Sequence, residues 1–194
     1  MQQDEPVTRP ASLRHRLVDT PQRYGLVTRV LHWALALMVL WQLTGMGIKQ
    51  LFGQGAAFQF FRAHHGNLGV AIFLLALLRV IWMVAMRNRR PGHGAGLLAL
   101  GAKLGHGALY LLIVLVPLTA ILRAIGSTRG FAPFGIPVTA PRAENVDWMM
   151  TLGSLLHGEG GWVLAALVAG HVAMVGLHEG LWRDGTLRRM AGRA

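Results

Sequence analysis

The segment LLHGEGGWVLAALVAGH, residues 155–171, decides the architecture that the sequence predicts. It carries two histidines inside one apolar segment, His157 and His171, fourteen residues apart. Fourteen residues is close to four helical turns, so both imidazoles share a helix face at depths roughly 21 Å apart. An imidazole inside a bilayer is costly and needs a reason such as a metal, a proton path or a polar partner. The spacing therefore suggests two metal centres at two membrane depths, as an electron path across a bilayer requires.

The rest of the chain contains the same kind of apolar segment. Hydrophobic residues make up 53% of the sequence and charged residues 14%. Four runs can span a hydrocarbon core of about 30 Å: approximately 30–48, 68–86, 108–125 and 162–181. They lack the alternation of barrel strands, so helices must make the crossings. The sequence predicts an all-α membrane protein, a four-transmembrane-helix up-and-down bundle over residues 23–194, after a cytoplasmic polar tail (residues 1–22) without signal-peptide features.

Basic residues are distributed unevenly between the two predicted ends of the bundle. Thirteen fall in the N-terminal region, the second loop and the C-terminal region: Arg9, Arg14, Arg16, Arg23, Arg29, Arg87, Arg89, Arg90, Lys103, Arg183, Arg188, Arg189 and Arg193. Five fall in the other two loops: Lys49, Arg62, Arg123, Arg129 and Arg142. The positive-inside rule then places both termini in the cytoplasm. Because the charge is divided among helix ends, we expect no nucleic-acid partner.

Helix direction pairs the histidines by depth. In an up-and-down bundle the first and third helices start at the cytoplasmic side, and the second and fourth start at the outer side. His65 opens the second predicted helix and His157 the fourth, whereas His32 begins the first and His171 lies deeper. Topology therefore pairs His65 with His157 and His32 with His171. The chain has no cysteine, which excludes covalent haem and thiolate-held clusters and leaves noncovalent bis-histidine haem, with methionine as the other plausible ligand.

Two of these assignments have neighbours that compete for the same role. His178 lies two turns beyond His171 and could meet His32, but the centres would then be about 31 Å apart rather than about 21 Å. The shorter separation favours electron transfer and therefore His171. His64 precedes His65 and points about 100° around the helix, so only one of them can face the core. Plain interhelical hydrogen bonds are the simpler role for a lone histidine, but four histidines at paired depths favour ligation.

Six segments share a joint pattern with a known family: RYGLVTRVLHW (23–33), HHGNLGVAIFLLALLRVIW (64–82), LGHGALYLLIVLVP (104–117), FGIPVTAPRAENVD (134–147), LLHGEGGWVLAALVAGH (155–171) and LWRDGTLRRM (181–190). Over roughly residues 22–190 the chain resembles the prokaryotic cytochrome b561 family of di-haem membrane proteins. The resemblance implies two noncovalent b-type haems with axial ligands His32, His65, His157 and His171. It also implies a bacterial inner-membrane protein that exchanges electrons with membrane quinone.

The resemblance leaves two functional interpretations. One branch of the family, superoxide oxidase, takes electrons from superoxide at the outer face and passes them to ubiquinone. The short chain and compact loops look more like this free-standing branch, with membrane lipid, ubiquinone and superoxide as its partners. The alternative is a cytochrome b electron-transfer subunit for a separate periplasmic dehydrogenase or hydrogenase, which would require a redox partner protein.

Several other residues are candidates for supporting roles. Arg79 lies within an apolar run and could pair with a haem propionate or a polar site, or snorkel to the interface. Quinone reduction consumes protons, so titratable side chains are candidate neighbours of the quinone: His106, Tyr110 and His178. A bis-histidine iron has no vacant position, so superoxide would react at the haem edge. Basic side chains of the outer loops are candidates for steering that anion: Arg123, Arg129 and Arg142.

Overall fold

The computed structural model describes residues 17–92 and 94–192. Its long helices are α1 Leu26–Phe52, α2 Ala56–Ala85, α3 Leu97–Ile125 and α4 Asp147–Leu177, and α4 continues as a π-helical turn, His178–Trp182. A short helix α5, Thr186–Ala191, ends the described chain, and 3-10 turns cover Arg87–Arg89 and Pro133–Gly135. All four long helices are apolar and long enough to cross a membrane, which confirms the predicted fold class. Arg9, Arg14, Arg16, Arg193 and most of the predicted tail lie outside the described residues.

Each long helix begins before the apolar run that predicted it. The fourth starts at Asp147 instead of about residue 162, and the second at Ala56 instead of about residue 68. The expectation that His65 and His157 open their helices was therefore wrong, because both lie roughly two to three turns inside. The physical reason is that hydropathy detects only the part of a helix immersed in hydrocarbon. The backbone stays helical through the more polar interface.

Consecutive helices run antiparallel and pack side by side. The closest packing joins α3 to α4 and α1 to α2, while α2 and α3 meet less extensively. The start of α1 meets the end of α2, where the Trp82 indole donates to Thr28 Oγ1 at 2.8 Å. A small core of Leu35, Val39, Ile72 and Ala76 lies between α1 and α2. The bundle therefore has a His157 end (starts of α2 and α4, ends of α1 and α3, loop 126–146) and an opposite His171 end.

Part of the predicted polar tail is packed against the His171 end. Asp19 is buried and accepts hydrogen bonds from the Gly25 N–H at 2.8 Å and from Arg90 Nε at 3.0 Å. The segment crosses the start of α1 so closely that a Cβ at Gly25 would strike the Leu17 carbonyl oxygen. Burial raises the pKa of the neighbouring Tyr24 phenol. Residues 17–25 thus form a strap that joins α1 to the loop after α2.

The C-terminal helix docks on the same end. The Trp33 indole donates to the Met190 carbonyl oxygen at 3.3 Å, and the Arg29 side chain lies against Gly192. Gly192 has φ of 80°, a conformation that favours glycine and ends α5. These contacts connect the end of the chain to α1, so α1 receives both terminal segments.

Gly153 allows α4 to approach α3 at the His157 end. A Cβ at this position would lie 2.7 Å from the Thr119 carbonyl oxygen and would strike the Cβ of Arg123. Both obstacles belong to the backbone or its first side-chain atom, so neither can rotate away. The close approach therefore depends on glycine.

We expect Gly153→Ala to destabilise the protein by about 1–3 kcal/mol, the usual cost of overpacking. Chemical unfolding in detergent micelles measures this change in free energy. Gly176→Ala on the same helix is the matched control, because a Cβ there meets nothing within 4 Å, and alanine is the better helix former. Equal stability of the two variants would contradict the close approach.

Candidate functional site: two histidine pairs

The first predicted histidine pair is brought together between α2 and α4. The Nε2 atoms of His65 and His157 are 3.4 Å apart. Their ring centroids are 5.7 Å apart, and the ring planes cross at 85°. The two rings therefore point their Nε2 atoms at one another across the helix interface, as the depth argument predicted.

The orientation of His157 is fixed by a third helix. Its Nδ1–H donates to the Val116 carbonyl oxygen of α3 at 3.0 Å. A neutral imidazole protonated at Nδ1 has an unprotonated Nε2, which is the form that binds a metal. Metal-binding histidines commonly donate their other ring N–H in this way. No sequence signal marks Val116, because it contributes only a backbone carbonyl.

A cavity of about 410 Å³ opens beside this pair. Both imidazoles line it, together with Arg123 and Arg129. Arg142, the third residue predicted to steer anions, is not in the lining. Its backbone N–H instead donates to the Thr128 carbonyl oxygen at 3.2 Å. The structure therefore separates the three predicted arginines into two at the cavity and one on the loop beyond it.

The second predicted pair lies at the His171 end and has a third histidine beside it. The ring centroids of His32 and His171 are 6.3 Å apart, with planes at 72°. The His106 ring lies closer to His171, with centroids 5.5 Å apart. Within the described ranges, no three His, Cys, Asp or Glu side chains form a metal-binding group.

Arg79 lies in the same region of the bundle and is half-buried. Its Nη1 donates to the Thr28 carbonyl oxygen at 3.2 Å, and its guanidinium lies 5.6 Å from the centre of the Tyr110 ring. No described carboxylate reaches ion-pair distance of it. A cation inside a membrane helix is costly without an anionic partner, so the position suits a bound anionic group.

The competing histidines are turned elsewhere. His64 donates through Nδ1 to the Phe60 carbonyl oxygen at 2.9 Å. His178 donates to Asp184 Oδ2 at 2.6 Å and packs its ring on Trp182. Hydrogen bonds from Thr186 and His178 hold the pKa of Asp184 at about 2. The pairing geometry therefore favours His65 over His64 and His171 over His178.

Four membrane-crossing helices with imidazoles paired at two depths are the arrangement expected of a membrane electron-transfer protein of the cytochrome class. The chain belongs to the prokaryotic cytochrome b561 family, whose sequence model matches residues 23–193. It is similar to cytochrome b561 homolog 2 of Escherichia coli (strain K12), with 26% identity over 182 residues, covering 91% of this chain and 95% of that protein. The chain is thus a multi-pass membrane protein from a family that binds b-type haem.

The residues present fit such a group. The Nε2 atoms of His65 and His157 approach to 3.4 Å, so both imidazoles could bind one metal ion. The tautomer imposed by Val116 leaves His157 Nε2 free to bind it. At the other end, the centroid separation of 6.3 Å between His32 and His171 is similar to the 5.7 Å of the first pair.

Proposed function

We propose that this protein is a di-haem cytochrome that carries electrons from the outer face of the bacterial inner membrane to ubiquinone, with superoxide as the donor. The observation that carries the proposal is that two imidazole pairs share α4 at positions fourteen residues apart. The Nε2 atoms of His65 and His157 are 3.4 Å apart, and the ring centroids of His32 and His171 are 6.3 Å apart. Roughly 21 Å of helix separates the two α4 histidines. Two redox groups at these depths divide the membrane crossing into short electron-transfer steps.

The chain's own residues hold and orient the groups. His65 and His157 would bind one haem, and His32 and His171 the other, each supplying one-electron chemistry at an iron without an open position. Val116 orients His157, and the Gln42 side-chain amide donates to the His65 carbonyl oxygen at 2.9 Å. The bundle therefore fixes the first ligand pair through contacts from all four long helices.

At the His171 end we assign Arg79 to an anionic group, such as a haem propionate. Tyr110 lies against its guanidinium and His106 against the His171 ring, so both remain candidates for donating protons to quinone. His178 is hydrogen-bonded to Asp184 near the end of α4, where it could pass protons inward. Two superoxide anions and two protons convert one ubiquinone to ubiquinol and release two molecules of dioxygen.

The orientation follows from charge. The His171 end carries the larger group of described basic residues: Arg23, Arg29, Arg87, Arg89, Arg90, Lys103, Arg183, Arg188 and Arg189. The positive-inside rule places that end, with both termini, in the cytoplasm. The cavity beside His65 and His157 would then open toward the outer face, where its two arginines make the surroundings favourable for an anion.

A second candidate function is that of a subunit for a separate periplasmic dehydrogenase or hydrogenase. The feature that favours it is the apolar surface of the loop between α3 and α4. Phe134, Ile136 and Val138 are all more than half exposed there. An apolar loop beside a redox site is a plausible docking surface for a protein partner.

Stopped-flow mixing of the purified protein with superoxide tests the choice. We expect superoxide to reduce the haems without a partner protein, and ubiquinone to reoxidise them. The rate constant for reduction should fall as salt is raised, because charges are screened over about 8 Å at physiological ionic strength. Reduction by quinol, which is uncharged, is the control and should change little with salt. Haems that are inert to superoxide but reduced by a co-purified dehydrogenase would support the subunit function instead.

A further inference from the structure

We infer that Arg123 and Arg129 form a carboxylate clamp, which binds the carboxylates of the haem held by His65 and His157 and raises that haem's affinity for an electron. The inference rests on the proposed function in requiring a haem at this pair. It gives the two arginines a role different from steering a mobile anion. In this inference the arginines bind two carboxylates of a bound group. The alternative is that they attract a free small anion.

The first observation is the shared cavity. Arg123 and Arg129 line the same space of about 410 Å³ as the two imidazoles. A group held by the two imidazoles would therefore share this cavity with both arginines. Among the described residues, no carboxylate lies within ion-pair distance of either arginine. Two cations that face one cavity repel each other unless an anion joins them.

The second observation is that the backbone carrying each arginine is held in place by the fold, while both side chains are exposed. Arg123 is fixed at the end of α3, where its Cβ lies against Gly153 of α4. Arg129 follows Thr128, whose N–H donates to Asn145 Oδ1 at 2.9 Å and whose carbonyl oxygen accepts from Arg142. Steering a diffusing anion needs charge but no fixed geometry. A fixed backbone beneath both side chains instead reduces the entropy lost on binding a defined ligand.

The residue after Arg129 has a positive φ, and the backbone around it is also held by the fold. Gly130 has φ of 71°, and a Cβ there would lie 2.7 Å from the Thr139 carbonyl oxygen. The Phe131 N–H donates to that same carbonyl at 3.1 Å. Further along, Phe134 adopts φ of 55° and donates its N–H to Asn67 Oδ1 of α2 at 2.9 Å. The loop that carries Arg129 is therefore tied to the helix that carries His65.

The chemistry of the guanidinium suits this role. Its planar donors match a carboxylate and can form two parallel hydrogen bonds with it. A haem of the b type carries two carboxylates, and the cavity offers two guanidiniums. Fixed positive charge also stabilises the reduced haem relative to the oxidised haem, because reduction adds one negative charge. The clamp should therefore raise the midpoint potential of this haem.

The test is redox titration of the haem-loaded protein carrying Arg123→Gln and Arg129→Gln together. We expect the electron-binding equilibrium of one haem to weaken about tenfold, which equals about 59 mV for one electron, while the other haem stays unchanged. Arg142→Gln is the matched control, since it removes a loop arginine outside the cavity lining, and it should leave both potentials unchanged. The titration uses a chemical reductant and is independent of superoxide.

Unchanged potentials in the double variant, with a slower and less salt-dependent reaction with superoxide, would overturn the clamp and assign the arginines to a mobile anion. If the double variant loses the haem, the midpoint potential is measured in Arg129→Gln alone. The expected weakening is then about threefold, and no change would overturn the inference. The proposed function is contradicted by different results. Wild-type protein that binds only one haem per chain at saturation, or whose haems do not react with superoxide, would contradict it, and neither result depends on Arg123 or Arg129.

Discussion

Replacing His157 with alanine is expected to reduce the haem content from two per chain to one. A noncovalent b-type haem is held chiefly by its axial side chains, and the chain contains no cysteine to attach it otherwise. His65→Ala should remove the same haem, because the two Nε2 atoms face each other at 3.4 Å. His32→Ala and His171→Ala should each remove the other haem. Haem-to-protein ratios and the reduced absorption spectrum of each variant measure the outcome.

His64→Ala and His178→Ala are the matched controls and should retain both haems. Each replaces a histidine whose ring is committed elsewhere, to the Phe60 carbonyl oxygen and to Asp184 respectively. Loss of a haem in His178→Ala, with both retained in His171→Ala, would show that the α4 assignment is wrong. His106→Ala should also retain both haems. If it loses one while His32→Ala retains both, then His106 and His171 are the ligands at that end.

Replacing Asp19 with alanine is expected to lower the free energy of unfolding by about 3 kcal/mol or more. This is the largest loss expected among the substitutions that do not affect haem ligands. Removing one partner of a buried ion pair leaves the other charge uncompensated. The Asp19 side chain has no exposed surface and that of Arg90 is 16% exposed. The substitution also removes the acceptor for the Gly25 N–H at the start of α1. Chemical unfolding in detergent micelles measures the loss.

Asp184→Asn is the control for this prediction, because it alters a hydrogen-bonded pair at the same end that is exposed. The side chains of His178 and Asp184 are 29% and 40% exposed, and exposed pairs contribute about 0–1 kcal/mol. The Asp184 pair should contribute above the ordinary carboxyl pKa and lose its contribution as pH falls toward about 2, the pKa of the folded state. Equal losses in Asp19→Ala and Asp184→Asn would show that the strap does not stabilise the bundle.

These two predictions concern different links between sequence and function. The histidine substitutions test which side chains hold the redox groups, while the Asp19 substitution tests how the start of α1 is held. The strap and α5 both contact α1 near His32, through Gly25 and Trp33. Since His32 is the ligand candidate that α1 supplies, loosening these contacts should weaken haem retention at the His171 end before that at the His157 end.

The sequence by itself determined the number of crossings and predicted which histidines lie at the same depth. Four apolar runs leave the backbone no alternative to helices in hydrocarbon. The period of 3.6 residues then places His157 and His171 on one face. Depth in an antiparallel bundle selects their partners, because each successive crossing of the bilayer reverses the direction of the chain. The resemblance to a family added the haem and quinone chemistry, and the match over residues 23–193 confirms the family.

Helix starts, helix rotation and long-range contacts were decided only by the tertiary structure. Whether His64 or His65 faces α4 depends on how α2 is rotated against its neighbours, which periodicity in a uniformly apolar helix cannot reveal. The role of Val116 depends on a backbone carbonyl, which every residue has. In the sequence Asp19 is only one residue of a polar tail, because its partner Arg90 lies seventy-one positions away. The local sequence pattern determines which segments form membrane helices. Contacts between distant segments determine which side chains and backbone groups meet at the sites.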